Sequence, residues 1–415
     1  EKSRVRGVEL MGRPSEEFYD AVIIGAGPIG GYLGWNLRRL GHSVLIIEEH
    51  SEIGRPFQCA GLVNPSAMAR VPLEKAVLSP IWGARINSPN GITVDIGSPE
   101  RIRTWSVCRK KFDEGVVTLA VESGAELLLN SRPTNISIYD GFAEVTIKSL
   151  NTEIKIKCAL ICGCDGAHSW VRRNMRMGRP KEMMIGYQVE VTGYPNEPGK
   201  LDMFTGSQIS PGFFSWAIPS GETTRIGMWS KAELLTDKSC EMLISNLMNE
   251  SIWKRRFENC TIIGRFGGPV PSGLIKYPLK ERVALFGDAS GACKPTTGGG
   301  ISTGFDQVDI LAPKLSECII NGDLSEERMQ KIGKSLDPMR KKLERIRALR
   351  NAFLTKSTDD ELDGVFEIWA RPDVTEIINQ SGEIDNPIPL GLRLLKEVPE
   401  FRSLASKAAS AVIWG

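Results

Sequence analysis

The stretch DAVIIGAGPIGGYLGWNLRRLGHSVLIIEE, residues 20–49, decides the fold. Ala21 to Ile24 is a short apolar run that reads as a buried parallel strand. It breaks into Gly25-x-Gly27-x-x-Gly30, and with Pro28 this turn opens a helix that runs to about Leu40. Gly41-His42 ends the helix, Val44 to Ile47 reads as the next strand, and Glu48 and Glu49 follow it. The three glycines serve a tight turn, close backbone approach to a pyrophosphate, and close helix–strand packing, in that order. The helix N-terminus offers unpaired N–H groups and a positive dipole end to phosphates. Glu48 stands 18 residues beyond Gly30, near the position where an acid accepts from a ribose hydroxyl. Strand, turn, helix, strand and acid in register predict dinucleotide binding.

The chain has 415 residues, 41% of them hydrophobic, enough for a large core and two or three domains. A net charge of +2 argues against nucleic acid as a partner. No apolar run reaches the ~18 residues of a membrane span, and the N-terminal stretch lacks the apolar centre of a signal peptide. Nine scattered cysteines suggest reduced thiols in a cytoplasmic setting. Cys158, Cys162 and Cys164 sit on a strand entering a turn and read as small buried strand residues. With only His42, His50 and His168 available, no metal site and no Ser-His-Asp triad is expected.

Two further segments separate FAD from NAD. ALICGCDGAHSWVRRNM (159–175) is a strand that ends in Cys164-Asp165-Gly166. RVALFGDASGACKPTTGGGISTGFDQV (282–308) is a strand that ends in Gly287-Asp288-Ala289, followed by a glycine-rich loop whose Gly298, Gly299, Gly300 and Ile301 open another helix. An Asp at such a strand end can accept from a polyol hydroxyl, such as the ribitol of a flavin. The loop can set N–H groups and a helix dipole against the flavin edge that becomes negative on reduction.

In these motifs the chain resembles flavoproteins of the glutathione-reductase type, para-hydroxybenzoate-hydroxylase branch. The resemblance implies a discontinuous FAD domain, with Glu48 on the adenosine ribose and Asp288 on the ribitol. Arg109 matches the arginine of that family's R-x-x-F-D helix start, which contacts the FAD phosphate or ribityl chain. No second GxGxxG follows a strand, so electrons must come from an external donor, such as reduced ferredoxin, a reduced nicotinamide or another carrier.

The expected fold is α/β (α+β overall), with a Rossmann-type FAD domain at 18–75, 100–175 and 281–320. A β-rich substrate domain, 76–99 and 176–280, should form an antiparallel roof over the flavin. Residues 321–415 read as mostly helical. Within them 337–356 is strongly basic, with Met339, Leu343, Ile346, Leu349 and Phe353 on one face.

Two segments point to the substrate side. Ser210 to Pro219 resembles the P-x-x-Y-x-W-x-F-P stretch of geranylgeranyl reductases through Pro211, Phe214, Trp216 and Pro219, with Phe214 in place of Tyr and Ile218 in place of Phe. GRPFQCAGLVNP (54–65) resembles that family's cysteine loop near the flavin, with Cys59 at the cysteine and Ala60 after it. Gly267-Gly268-Pro269-Val270-Pro271 matches its later G-G-x-x-P. The resemblance, closest to archaeal digeranylgeranylglycerophospholipid reductases, implies saturation of polyprenyl double bonds by reduced FAD on a lipid or diphosphate. Cys59, Phe214 and Trp216 would be catalytic, and Phe213, Phe214, Trp216 and Pro219 would line the substrate. Such an enzyme would be cytoplasmic and work at the inner face of the membrane, with the basic stretch 337–356 either as its membrane contact or as a core-packed helix with a solvated charged face. Two alternatives stay open. Phe214 to Pro219 also leans toward the W-x-W-x-I-P of flavin-dependent halogenases, beside which a monooxygenase stands. A membrane-surface electron-transfer flavoprotein would need four C-terminal cysteines, and only Cys318 lies beyond 293.

Overall fold

The strand Phe18–Ile24 lies at the centre of an eight-stranded sheet, parallel to Thr152–Gly163 on one side and Val44–Ile47 on the other. Glu126–Leu128 and Val283–Leu285 extend it outward, also parallel. All four residues of Val44–Ile47 are buried, as a strand covered on both faces requires. The carboxyl ends at Ile24, Ile47, Gly163 and Leu285 share one edge, so the loops leaving them carry Gly25, Glu48, Asp165 and Asp288 to one crevice. The hairpin Ser131–Tyr139 and Phe142–Ser149 pairs antiparallel with the first half of Thr152–Gly163. The computed structural model describes residues 14–56, 59–149, 152–382 and 387–404. Phe57 and Gln58 of the cysteine loop, and residues 405–415 of the expected helical region, lie outside them.

Helices Pro28–Arg39, Arg109–Glu122 and Ile301–Asn321 pack together on the sheet. Two small residues bring the first helix close: a methyl group on Gly31 would stand 2.9 Å from Val117, and one on Gly34 2.9 Å from Ile46.

A second, seven-stranded sheet runs in the order Thr261–Ser272, Glu182–Thr192, Thr223–Lys231, Phe214–Ser220, Lys200–Thr205, Gly83–Asn87 and Thr93–Gly97. It is antiparallel except where Lys200–Thr205 meets Gly83–Asn87. A small sheet of Leu62–Val63, Thr104–Val107 and Val77–Ile81 joins strands from both sides of the expected boundaries at 75/76 and 99/100. Helices Asp359–Trp369, Pro372–Ser381 and Pro387–Glu397 close the chain. No helix among the described residues is long and apolar enough to cross a membrane.

The basic stretch departs from its expected form. An α-helix, Asp337–Arg350, passes into a π-helical turn, Asn351–Thr355. Leu343 and Ile346 are buried, but Met339, Leu349 and Phe353 are only half-buried, and two arginines, Arg347 and Arg350, go inside instead. They can be buried because Glu182 meets both, at 3.0 and 2.8 Å.

Candidate FAD and substrate site

The phosphate turn is closed by backbone contacts that only glycine permits. Gly25 has φ +104°, and a Cβ there would stand 2.4 Å from the Cys164 carbonyl oxygen; one on Gly30 would stand 1.9 Å from the Gly25 oxygen. A Cβ on Gly27 would meet nothing within 4 Å, so this backbone is open to a ligand. Glu48 Oε2 accepts from the Ala26 N–H at 2.9 Å, and Oε1 meets His50 Nδ1 at 2.6 Å. The acid therefore braces the turn as well as standing at the ribose position. Glu49 is exposed.

Asp165 Oδ2 accepts from the Val171 N–H at 2.9 Å, starting the helix Trp170–Asn174. Its Oδ1 is buried without a hydrogen-bond partner among the described residues, and burial raises the carboxyl's pKa. Gly166 has φ +71° and makes the turn. Asp288 lies under the glycine loop: a Cβ on Gly300 would stand 2.6 Å from its Oδ1, which accepts from the Cys293 thiol at 3.0 Å. The loop is closed by Gly298 N–H to Lys294 O at 2.9 Å and Lys294 N–H to Gly299 O at 3.1 Å. Gly300 then caps Ile301–Asn321, whose first N–H groups face outward from the helix end.

Arg109 is the first residue of its helix and makes a two-pronged pair with Asp113, at 2.9 and 2.8 Å. Burial works against its charge, but Asp113 and a hydrogen bond to the Cys59 sulfur outweigh it and hold the guanidinium firmly protonated. Asp113 is the aspartate of the R-x-x-F-D motif, and its i,i+4 spacing from Arg109 was the signal that the two pair.

A cavity of about 610 Å³ opens where the glycine loop meets the seven-stranded sheet. Cys59, Ala60, Trp216, Gly298, Gly299 and Ile301 line it, which brings both expected substrate segments to the flavin loop. Trp216 lies over Gly227, where a Cβ would stand 2.6 Å from the indole, and its Nε1 donates to Gln188 Oε1 at 3.3 Å. Gly186 and Gly268 pair across adjacent strands and leave this part of the wall without side chains. Trp229, Gln188, Phe266 and Lys294 also line it and were missed. Trp229 and Gln188 sit in strands whose alternation was visible, but alternation does not say which face meets a cofactor. Among the described lining residues are Arg101, Arg103, Lys294 and Lys342, and no Asp or Glu.

Three expected substrate residues are not on the cavity wall. Pro219 is buried on the opposite face from Trp216, because side chains alternate along Phe214–Ser220. Phe213 precedes that strand and is buried against Trp229, with ring centroids 5.1 Å apart. Phe214 shares the Trp216 face but lies at the strand's start, half-buried against the indole edge at 6.4 Å. The strand cysteines are packing residues: Cys158, Cys162 and Cys164 are buried, and burial pushes the Cys158 thiol up to about 12. No cluster of metal-ligating side chains occurs among the described residues.

The donor set fits FAD: an open glycine backbone for the pyrophosphate, Glu48 for the ribose, Asp288 below the loop, and a bare helix start beside the cavity. Fold and site define an FAD-dependent oxidoreductase. Residues 120–345 match the family described as FAD binding domain, and residues 23–60 match the NAD(P)-binding Rossmann-like domain. The digeranylgeranylglycerophospholipid reductase 3 of Methanosphaera stadtmanae is 30% identical over 379 residues, spanning 87% of this chain and 93% of that protein. The chain belongs to the geranylgeranyl reductase family. A solved geranylgeranyl bacteriochlorophyll reductase-like protein from Thermoplasma acidophilum shares the fold, with TM-score 0.83 and 21% identity over 94% of this chain and 99% of that one. The flavin-dependent brominase Bmp2 shares it with TM-score 0.71 and 19% identity, over 92% and 100%.

Proposed function

We propose that the protein saturates the carbon–carbon double bonds of geranylgeranyl chains carried on isoprenoid lipids or diphosphates. The observation that carries this reading is the cavity: apolar and aromatic walls from Trp216, Trp229, Phe266 and Val270 meet the glycine loop, with cations and, among the described residues, no carboxylate around them. An apolar chain fits such walls, and the cations suit an anionic carrier group. Reduced FAD, when bound, supplies a hydride to one alkene carbon. Protonation of the other carbon leaves positive charge on the carbon that accepts the hydride, and the indole faces of Trp216 and Trp229 stabilise that charge. Cys59 lines the same cavity, with its sulfur accepting from the Gly61 N–H at 3.3 Å, and is the residue we assign to the proton or to its relay. Gln188 fixes the Trp216 ring, and the bare wall at Gly186 leaves room for a chain to lie against the sheet.

The electron donor is external, and the lipid is taken from a membrane surface. Lys341, Lys342 and Arg345 remain exposed or at the cavity edge and provide the contact, whereas Arg340 is spent on the carbonyls of Leu274 and Ile275, at 2.7 Å each. A flavin-dependent halogenase or monooxygenase is the second reading, favoured by the fold shared with the brominase Bmp2. Dithionite-reduced enzyme given a geranylgeranyl lipid should yield products gaining one hydrogen pair per saturated bond. Turnover that requires oxygen, with or without halide, and leaves every double bond intact would replace the reductase reading by the second.

A further inference from the structure

The Arg350 side chain is fully buried, at 0% exposure, yet it serves none of the functions above. Its guanidinium joins three parts of the molecule. One nitrogen meets Glu182 Oε1 and Oε2, at 2.8 and 3.0 Å, at the start of the seven-stranded sheet. Another donates to the carbonyl of Pro295, at 2.8 Å, the first residue of the Pro295–Gly300 loop. Its planar face lies 4.9 Å from the Phe213 ring. Phe213 packs on Trp229, and Trp229 abuts the loop again at Gly298, where a Cβ would stand 3.3 Å from the indole. Arg350 thus grips the loop directly at Pro295 and indirectly, through two aromatic rings, at Gly298.

Its surroundings keep the charge there. Glu182 also meets Lys231 at 2.6 Å and Arg347 at 3.0 Å, so three cations share one carboxylate. A planar guanidinium donates in several directions at once, which an ammonium on a single stem does not reproduce. The π-helical turn Asn351–Thr355 begins at the next residue, and Thr355 Oγ1 reaches the Gly212 carbonyl at 3.2 Å. The end of the Asp337–Arg350 helix and its π-helical turn are therefore seated against the roof at Gly212 and Phe213.

We propose that Arg350 is a positioning residue that holds the glycine loop against the flavin edge and so sets the reduction potential of bound FAD. The loop's N–H groups and helix dipole favour the reduced, more negative flavin only while the loop stays in place. Loss of the grip weakens the reduced form more than the oxidised form. The inference rests on FAD binding alone and is untouched by the identity of the alkene substrate.

The test measures the midpoint potential of FAD-loaded wild type, Arg350→Gln and Arg350→Lys by dye equilibration, with circular dichroism as the check on folding. Both variants should favour reduced over oxidised flavin about tenfold less, a fall of about 30 mV for a two-electron couple. Arg350→Lys keeps the charge but not the fork, so it separates position from charge. A potential unchanged in Arg350→Lys overturns the proposal, whether Arg350→Gln shifts it (charge alone) or not (packing alone). If Arg350→Gln fails to fold, Arg350→Lys decides by itself.

Discussion

Trp216→Ala should impair turnover while leaving the flavin bound. The indole is half-buried, lies on Gly227, and is fixed by its hydrogen bond to Gln188. Trp→Ala in a closed core costs about 3–5 kcal/mol. Here one face already borders a cavity, so the cost should be nearer 1–2 kcal/mol, and the protein stays folded at 25 °C. The catalytic effect is larger. Removing the wall lets the chain shift by ~1 Å or more, and a shift of that size costs ~100-fold in rate, or about 2.7 kcal/mol of barrier. Flavin content should not move, because the phosphate turn, Glu48, Asp288 and the glycine loop are on other segments. The assay pairs flavin absorbance per mole of protein with the rate at which a geranylgeranyl lipid reoxidises reduced enzyme under anaerobic conditions. A wild-type rate in Trp216→Ala would refute the placement of the substrate. Loss of flavin would refute the separation of the two sites.

Asp288→Ala should show the reverse pattern, releasing FAD first: losing a buried acceptor of about 1–2 kcal/mol weakens binding roughly tenfold, readable by ultrafiltration of the yellow protein. Glu182 gives a pH signature. Burial raises its pKa, but hydrogen bonds from Arg350 and Lys231 and the charge of Arg347 lower it more, from 4.5 to about 2. Because the folded value is the depressed one, its contribution of about 3 kcal/mol is present above pH 4.5 and is lost as pH falls toward 2. Urea unfolding should therefore show Glu182→Gln much less stable than wild type at pH 6, with the gap closing near pH 2; a constant gap would contradict the ion-pair account. Neutralising Lys341, Lys342 and Arg345 should reduce co-sedimentation with anionic vesicles at low salt by ~100-fold, at ~1 kcal/mol per basic residue, without unfolding. Unchanged sedimentation would remove the membrane contact from this helix.

The FAD half of the site was legible because its chemistry is local. A strand end, a glycine turn and a helix start are consecutive residues, so Gly25 to Gly30 and Gly298 to Ile301 declare themselves in one dimension. Asp288 was read the same way, as an acid at a strand end, whereas Arg109 came only from its match to the family's R-x-x-F-D helix start. The substrate half depends on which face of a strand meets the cavity, and that is settled by sheet pairing. Trp216 reaches the cavity wall, but Pro219 shares its segment and faces the other way, while Phe213 packs against Trp229 and Arg350. Trp229 and Gln188 reach the cavity only because Thr223–Lys231 pairs with both Phe214–Ser220 and Glu182–Thr192. The basic helix misled for a related reason. Its charge pattern suggested a solvated face, but Arg347 and Arg350 meet a largely buried carboxylate on a strand more than a hundred residues earlier in the chain, at Glu182.

The proposed function turns on flavin electrons entering a prenyl double bond. Stoichiometrically reduced enzyme, mixed anaerobically with a geranylgeranyl lipid and no other oxidant, tests this directly by pairing flavin absorbance with product mass. One double bond should be saturated for each flavin reoxidised. Flavin that stays reduced in the presence of the lipid, yet reoxidises at once when oxygen is admitted, would contradict it.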